Sequence, residues 1–312
     1  MTTRNDHDLA IGVRPDGAPW RVRVIDIEGD LSGPRTALVA GIWGDKPLAV
    51  MALWQLADRL ASTDLAGTVT IIPAANPPAI AAATRVNPDH LYLNRVFPGS
   101  PTGPLTQQLA DALLGTILDC ADCVVDLHSG TATMGLGYIY DYGDVELASS
   151  FGYLPVVVGF AQPGQLSAAV VEHGGSSLLA EFGGAERNDP AVGIEGCLNV
   201  LAHRGHLSHD RSGPATVPVI DRVSMYLPRV GGILGGTVTP AMIGEEVPAG
   251  LTCWVDCPGT GERVDEFTLA EDGGLLLLAN TTPLQVEPGA FGCTVGHGTT
   301  TVPVPGHAGG TS

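Results

Sequence analysis

Five short stretches of this 312-residue chain concentrate side chains that can do chemistry. They are Trp43-Gly-Asp-Lys46, the segment 76–85 ending in Arg85, Tyr92-Leu-Asn94-Arg95, Asp126-Leu-His128-Ser-Gly130, and Glu181-Phe-Gly-Gly184. Carboxylate, imidazole, guanidinium and ammonium groups carry protons, bind carboxylates and polarise carbonyls. Lys46 stands apart, because it is the only lysine and the other fourteen basic residues are arginines. An ammonium can polarise a carbonyl without a metal. Desolvated, it loses its proton more readily and can serve as a base or an amine nucleophile.

Other clusters point to structure instead. Ser129 follows His128, but no G-x-S-x-G turn surrounds it, which argues against a serine hydrolase. Cys120 and Cys123 have C-x-x-C spacing without a second pair at zinc-ribbon distance, and buried structural thiols are expected. His203, His206 and His209 are close together, yet Gly205 interrupts their helical face, so a solvated helix end is expected. His7, His90, His173, His297 and His307 acquire no role. The glycines of 231–236 lack the strand-turn-helix context of a nucleotide site and are read as β turns.

The five stretches need a frame that brings them together. Residues 20–27 (WRVRVIDI) alternate in polarity and predict an edge or antiparallel strand. The apolar runs 36–42, 67–73 and 123–127 predict buried strands, with further strands at 138–140, 155–160 and 177–181. Helices are predicted over 47–61, 105–118, 165–172 and 190–203, the first with a proline in its opening turn. This alternation implies an α/β fold over 1–210, a mixed and mostly parallel sheet flanked by helices. Ligands bind such sheets beyond the C-terminal strand ends, where the reactive stretches fall. From 211 to 300 the chain turns glycine-punctuated and β-rich, predicting a small antiparallel module at the pocket mouth. Residues 301–312 predict a flexible tail.

In this order, the stretches resemble the succinylglutamate desuccinylase/aspartoacylase family of zinc-carboxypeptidase-like enzymes, across residues 36–296. The resemblance implies a carboxypeptidase-like fold and an amidohydrolase, a deacylase of small acylated amino acids. The family holds zinc with two histidines and a glutamate, leaving one position for water. A late glutamate takes the water's proton, and arginines meet the carboxylate and the oxyanion. Carried across, His128 matches one zinc ligand and Glu181 the general base. Arg85 matches the oxyanion-side arginine, and Asn94 with Arg95 the carboxylate-binding pair. Trp43 and Lys46 stand at the other two ligand positions, and Tyr92 stands where the family has Asp. Neither an indole nor an ammonium offers Zn²⁺ a lone pair. The zinc site is therefore expected to be degenerate.

Three readings follow from that departure. Lys46 could do what zinc does elsewhere, with Trp43 as a substrate-facing wall. The chain could be a pseudo-hydrolase that binds the ligand without turning it over. Or Asp45, His90 or Glu181 could join His128 around a rearranged metal site.

The formal net charge of −18 disfavours nucleic acid and anionic membranes as partners, and the resemblance, through Arg85, Asn94 and Arg95, implies a small-molecule carboxylate as the substrate. No apolar run approaches the roughly 18 residues of a spanning helix. Residues 1–10 lack the apolar core of a signal peptide, and six dispersed cysteines suit a reducing compartment, so the cytoplasm is expected. Self-association, as a homo-oligomer, is left open by this composition.

Overall fold

The computed structural model describes residues 2–211, 213–269, 273–298 and 300–306. The chain opens with the hairpin β1 (Thr3–Val13) and β2 (Pro19–Glu28). It continues through β3 (Leu31–Ala40), α1 (Pro47–Leu60), β4 (Ala66–Ile72), α2 (Pro77–Ala82), α3 (Leu105–Cys120) and β5 (Cys123–Ser129). Then come β6 (Met134–Asp141), α4 (Val145–Ser150), β7 (Val156–Val157), α5 (Leu166–Glu172), β8 (Ser176–Gly183) and α6 (Ala191–His203). The C-terminal part adds β9 (Thr216–Ile220), β10 (Arg222–Tyr226), β11 (Gly232–Gly236), β12 (Glu246–Val247) and β13 (Leu251–Asp256). It ends with β14 (Arg263–Leu269), β15 (Gly274–Asn280), β16 (Leu284–Val286), β17 (Cys293–His297) and β18 (Thr300–Pro303).

One large mixed sheet runs in the order β1-β2-β4-β3-β5-β8-β6-β15-β17-β10. Its centre, β4-β3-β5-β8, is parallel, and the flanks on both sides are antiparallel. Strand periodicity sends alternate residues to opposite faces. Leu38 of β3, Val125 and Leu127 of β5, and Ala180 and Phe182 of β8 pack under α1 and α6. Val39 and Val124 face the other way, toward Leu109, Leu113 and Ile117 of α3 and Leu166 of α5. Asp126 and His128 share the face of Val124, so they emerge where the cover of α3 and α5 ends. That phase places the reactive residues.

Several expectations need correction. β1 was not apparent from its polar residues, yet it pairs with β2 along its whole length as a charged edge. The strand expected over 155–160 is only the two residues of β7. The change of composition near 211 does not interrupt the sheet, because β15 pairs with β6 and carries β17 and β10 onto it. Part of the expected flexible tail is strand: β18 pairs with β9, and Val304 is buried beside Val217 in the main core. Residues 307–312 of that tail, His307 included, lie outside the described residues. The glycines of 232–236 form β11, an inner strand of a second sheet, β14-β13-β11-β16. His206 is buried, bonded to the Ala66 carbonyl at 2.9 Å and the Thr36 hydroxyl at 2.8 Å, and burial lowers its pKa to about 4. It is a core histidine. Among the described residues, no helix is long and apolar enough to cross a membrane.

Candidate active site

The loop after β3 carries Trp43, Asp45 and Lys46, and two glycines give it its shape. Gly41 adopts φ of +72°, and a Cβ on Gly44 would lie 2.0 Å from the Ala79 carbonyl oxygen. The Asn76 amide donates to the Ile42 carbonyl at 2.9 Å, and the Gly44 N–H donates to the Thr84 carbonyl at 3.0 Å. The segment around α2 therefore clamps the loop. Lys46 becomes the N-cap of α1, with Pro47 opening the helix. The positive end of a helix dipole disfavours a cation there, so the ammonium needs a counter-charge.

Glu181 supplies it. Lys46 Nζ lies 3.0 Å from Oε2 and 3.3 Å from Oε1 of Glu181, and both residues are buried. Burial pulls the lysine's pKa down, and the nearby Arg85 adds to that, against the pull of Glu181. Burial alone would raise the pKa of Glu181, but Lys46 and His128 outweigh it and hold the carboxyl at about 2. The resting state is an ion pair with ionised Glu181.

His128 and Glu181 are directly paired in register on neighbouring parallel strands. His128 Nε2 meets Asp126 Oδ1 at 2.9 Å, two residues back on the same face. The Trp43 indole N–H donates to His128 Nδ1 at 3.1 Å. The indole bond suits a ring protonated only at Nε2, while the pair with Glu181 suits an imidazolium. Burial opposes a second proton, while Asp126 and Glu181 together push the pKa up. A proton on Nδ1 would break the indole bond and face Glu181 Oε1, 3.5 Å away.

The arginines gather around Trp43. The guanidinium carbons of Arg85 and Arg95 lie 5.9 and 5.7 Å from its ring centroid, within cation–π range. Tyr92 packs edge-on against the same ring at 5.9 Å. Arg85 is also fixed by Asp45, Nε to Oδ2 at 3.0 Å. The Asn94 side-chain oxygen accepts from the Leu166 N–H at 2.9 Å, tying the Asn94-Arg95 turn to the start of α5. Trp43, Lys46, Arg85, Asn94, Arg95, His128 and Glu181 all line one cavity of about 270 Å³. Asp45 is turned toward Arg85, and His90 is not among the lining residues.

These groups do not suit a divalent metal. The His128 lone pair that would face one accepts the indole N–H, and the Glu181 carboxylate faces an ammonium. Among the described residues, no group of three or more His, Cys, Asp or Glu is arranged to hold an ion.

Some site residues were hidden in sequence. Asp126 is fully buried and orients His128, a role its two-residue spacing could have signalled. Ser129 accepts from the Ala49 N–H at 3.4 Å and so helps cap α1. Met225, Leu227, Leu278 and Phe291 reach the cavity from the C-terminal module, which their apolar sequence could not announce.

A family model described as the succinylglutamate desuccinylase/aspartoacylase catalytic domain matches residues 32–204, more than half of the chain. An N-alpha-acetyl-L-2,4-diaminobutyric acid deacetylase of Halomonas elongata is 29% identical, covering 90% of this chain and 88% of its own. The crystal structure of a succinylglutamate desuccinylase/aspartoacylase from Rhodobacter sphaeroides superposes with a TM-score of 0.82 at 25% identity, covering 94% and 95% of the two chains. The product-bound ectoine utilization protein EutE (DoeB) of Ruegeria pomeroyi gives 0.81 at 25% identity, with 95% of each chain covered.

Proposed function

This chain belongs to the succinylglutamate desuccinylase/aspartoacylase family and is an amidohydrolase of the deacylase type, and from that premise we propose that it cleaves a small N-acylated amino acid with Lys46 in place of zinc. The observation that carries this reading is the buried contact of Lys46 Nζ with both Glu181 oxygens, beside His128. Polarising a carbonyl and deprotonating a water call for one cation and one carboxylate side by side, which supports this reading.

Arg95 and Asn94 receive the substrate carboxylate. The scissile carbonyl oxygen approaches Lys46 on the side of Arg85. As the ammonium turns to that oxygen, its hold on Glu181 weakens and the carboxylate becomes more basic. Glu181 then takes a proton from water as the water oxygen bonds to the carbonyl carbon. Lys46 and Arg85 stabilise the oxyanion. Glu181 returns the proton to the nitrogen as the C–N bond breaks, leaving a carboxylic acid and a free amine. His128, held by Asp126, fixes Glu181 and the Trp43 ring in place.

The test is amine release from N-acyl amino acids by wild type and Lys46→Met, beginning with the acetylated diaminobutyrate that names the Halomonas relative. Turnover by wild type that falls at least about 100-fold in the variant supports the reading, since one oxyanion donor is worth about that much. Equal turnover by both would refute it. Undiminished ligand binding with no turnover in either protein would favour the pseudo-hydrolase.

A further inference from the structure

The cavity is divided along the sheet order. His128 of β5 lies beneath Trp43 with its two arginines, Glu181 of β8 is central, and beyond it come β6, β15, β17 and β10. On that far side Leu136 and Tyr138 of β6 and Leu278 of β15 line the wall, joined by Met225, Leu227 and Phe291 of the C-terminal module. Every charged lining residue is at the centre or on the Trp43 side: Lys46, Arg85, Arg95 and Glu181. The far wall is polar only at phenols and amides or hydroxyls. At its rim, Met225, Leu227 and Phe291 are 40%, 42% and 40% exposed, large apolar side chains left uncovered at a pocket mouth.

An N-acyl amino acid has its carboxylate on one side of the scissile carbonyl and its acyl chain on the other. With the carboxylate at Arg95 and the carbonyl at Lys46, the acyl chain must point across Glu181 toward β6 and β15. We propose that this enzyme selects substrates whose acyl group is apolar and longer than acetyl, an aliphatic or aromatic chain laid against the β6–β15–β10 wall. This rests on the deacylase reading above. A succinyl group would bring a second carboxylate past the β6 phenols Tyr138 and Tyr140, which Arg85 and Arg95 still influence, onto a wall that among the described residues carries no cation of its own.

The experiment uses a series of one amino acid acylated with acetyl, butanoyl, hexanoyl, benzoyl and succinyl groups. Both calorimetric binding to the Glu181→Gln protein and turnover by wild type are measured. Each methylene buried should tighten binding up to roughly fourfold. We expect hexanoyl to bind at least about tenfold tighter than acetyl, with kcat/KM rising in parallel, and succinyl to be the poorest. Leu227→Glu, at a rim position that is 42% exposed, should flatten the series. Binding that does not improve with chain length, or a preference for acetyl or succinyl, overturns the proposal even if the amide is hydrolysed. Chain-length-dependent binding with no turnover upholds the apolar wall and overturns only the deacylase reading.

Discussion

Lys46 is costly where it stands, buried and at a helix N-terminus, and among the described residues Glu181 is the carboxylate within hydrogen-bonding distance that offsets that cost. Removing one member of such a pair strands a buried charge, typically at about 3–5 kcal/mol. Lys46→Met should lose stability of that order in denaturant unfolding, and Lys46→Met with Glu181→Gln should recover most of it. An additive loss would mean that the two side chains do not interact. The pair also sets an acid limit. Glu181 has its pKa lowered from 4.5 to about 2, so its contribution is complete above about pH 4.5 and fades as pH falls toward about 2. Comparing wild type with Glu181→Gln, the stability difference should shrink across that window and not above it. Zinc chemistry supplies a converse prediction. Trp43→His with Lys46→Glu removes the indole donor and the ammonium and provides two lone-pair ligands beside His128, so this double variant should bind zinc about one to one in a dialysis assay. Failure to bind zinc would mean that the loop does not aim positions 43 and 46 at His128.

At the scale of elements, the loop between β3 and α1 positions half of the site, and glycine makes that loop possible. A methyl group at Gly44 would collide with the α2 backbone. Gly44→Ala should cost about 1–3 kcal/mol and reduce turnover further than stability, because Trp43 and Lys46 shift with the loop. Unchanged kcat with lowered Tm would show that the loop recovers its geometry. The central strands and their helices were readable in the sequence because they are apolar runs and amphipathic repeats of full length. The strand β1 escaped because its own residues from Thr3 to Asp8 are polar and exposed and show no alternation, and the strand expected over 155–160 runs too long because an apolar run does not mark where pairing stops. Lys46, Glu181 and His128 could be nominated from their strand-end positions. That Trp43 would bond to His128 and stack with Arg85 and Arg95 depends on tertiary distances that no spacing encodes.

Across the whole molecule, the C-terminal β-rich part behaves as an extension of the catalytic sheet. β15 covers the edge of β6, and the module's side chains complete the cavity wall. The composition change near 211 marked a β-rich module at the pocket mouth, but composition reports exposure and turn content and says nothing about which edge a strand joins. A chain ending at residue 210 would keep β6 paired to β8 but uncover its other edge at Met134, Gly135 and Leu136 and leave the apolar wall open. It should aggregate on size-exclusion chromatography and lack turnover. A soluble, active truncation would contradict that role. The net charge of −18 surrounds a pocket in which Lys46, Arg85 and Arg95 gather around Glu181, so basic groups are concentrated locally inside a field that repels polyanions.

The central claim, that Lys46 does the work a zinc ion does elsewhere in the family, is tested most directly by the zinc-to-protein ratio of catalytically active enzyme after dialysis against a chelator. The account predicts a ratio far below one with turnover retained. A ratio near one, with turnover lost as the metal is stripped and restored by adding zinc, would contradict it.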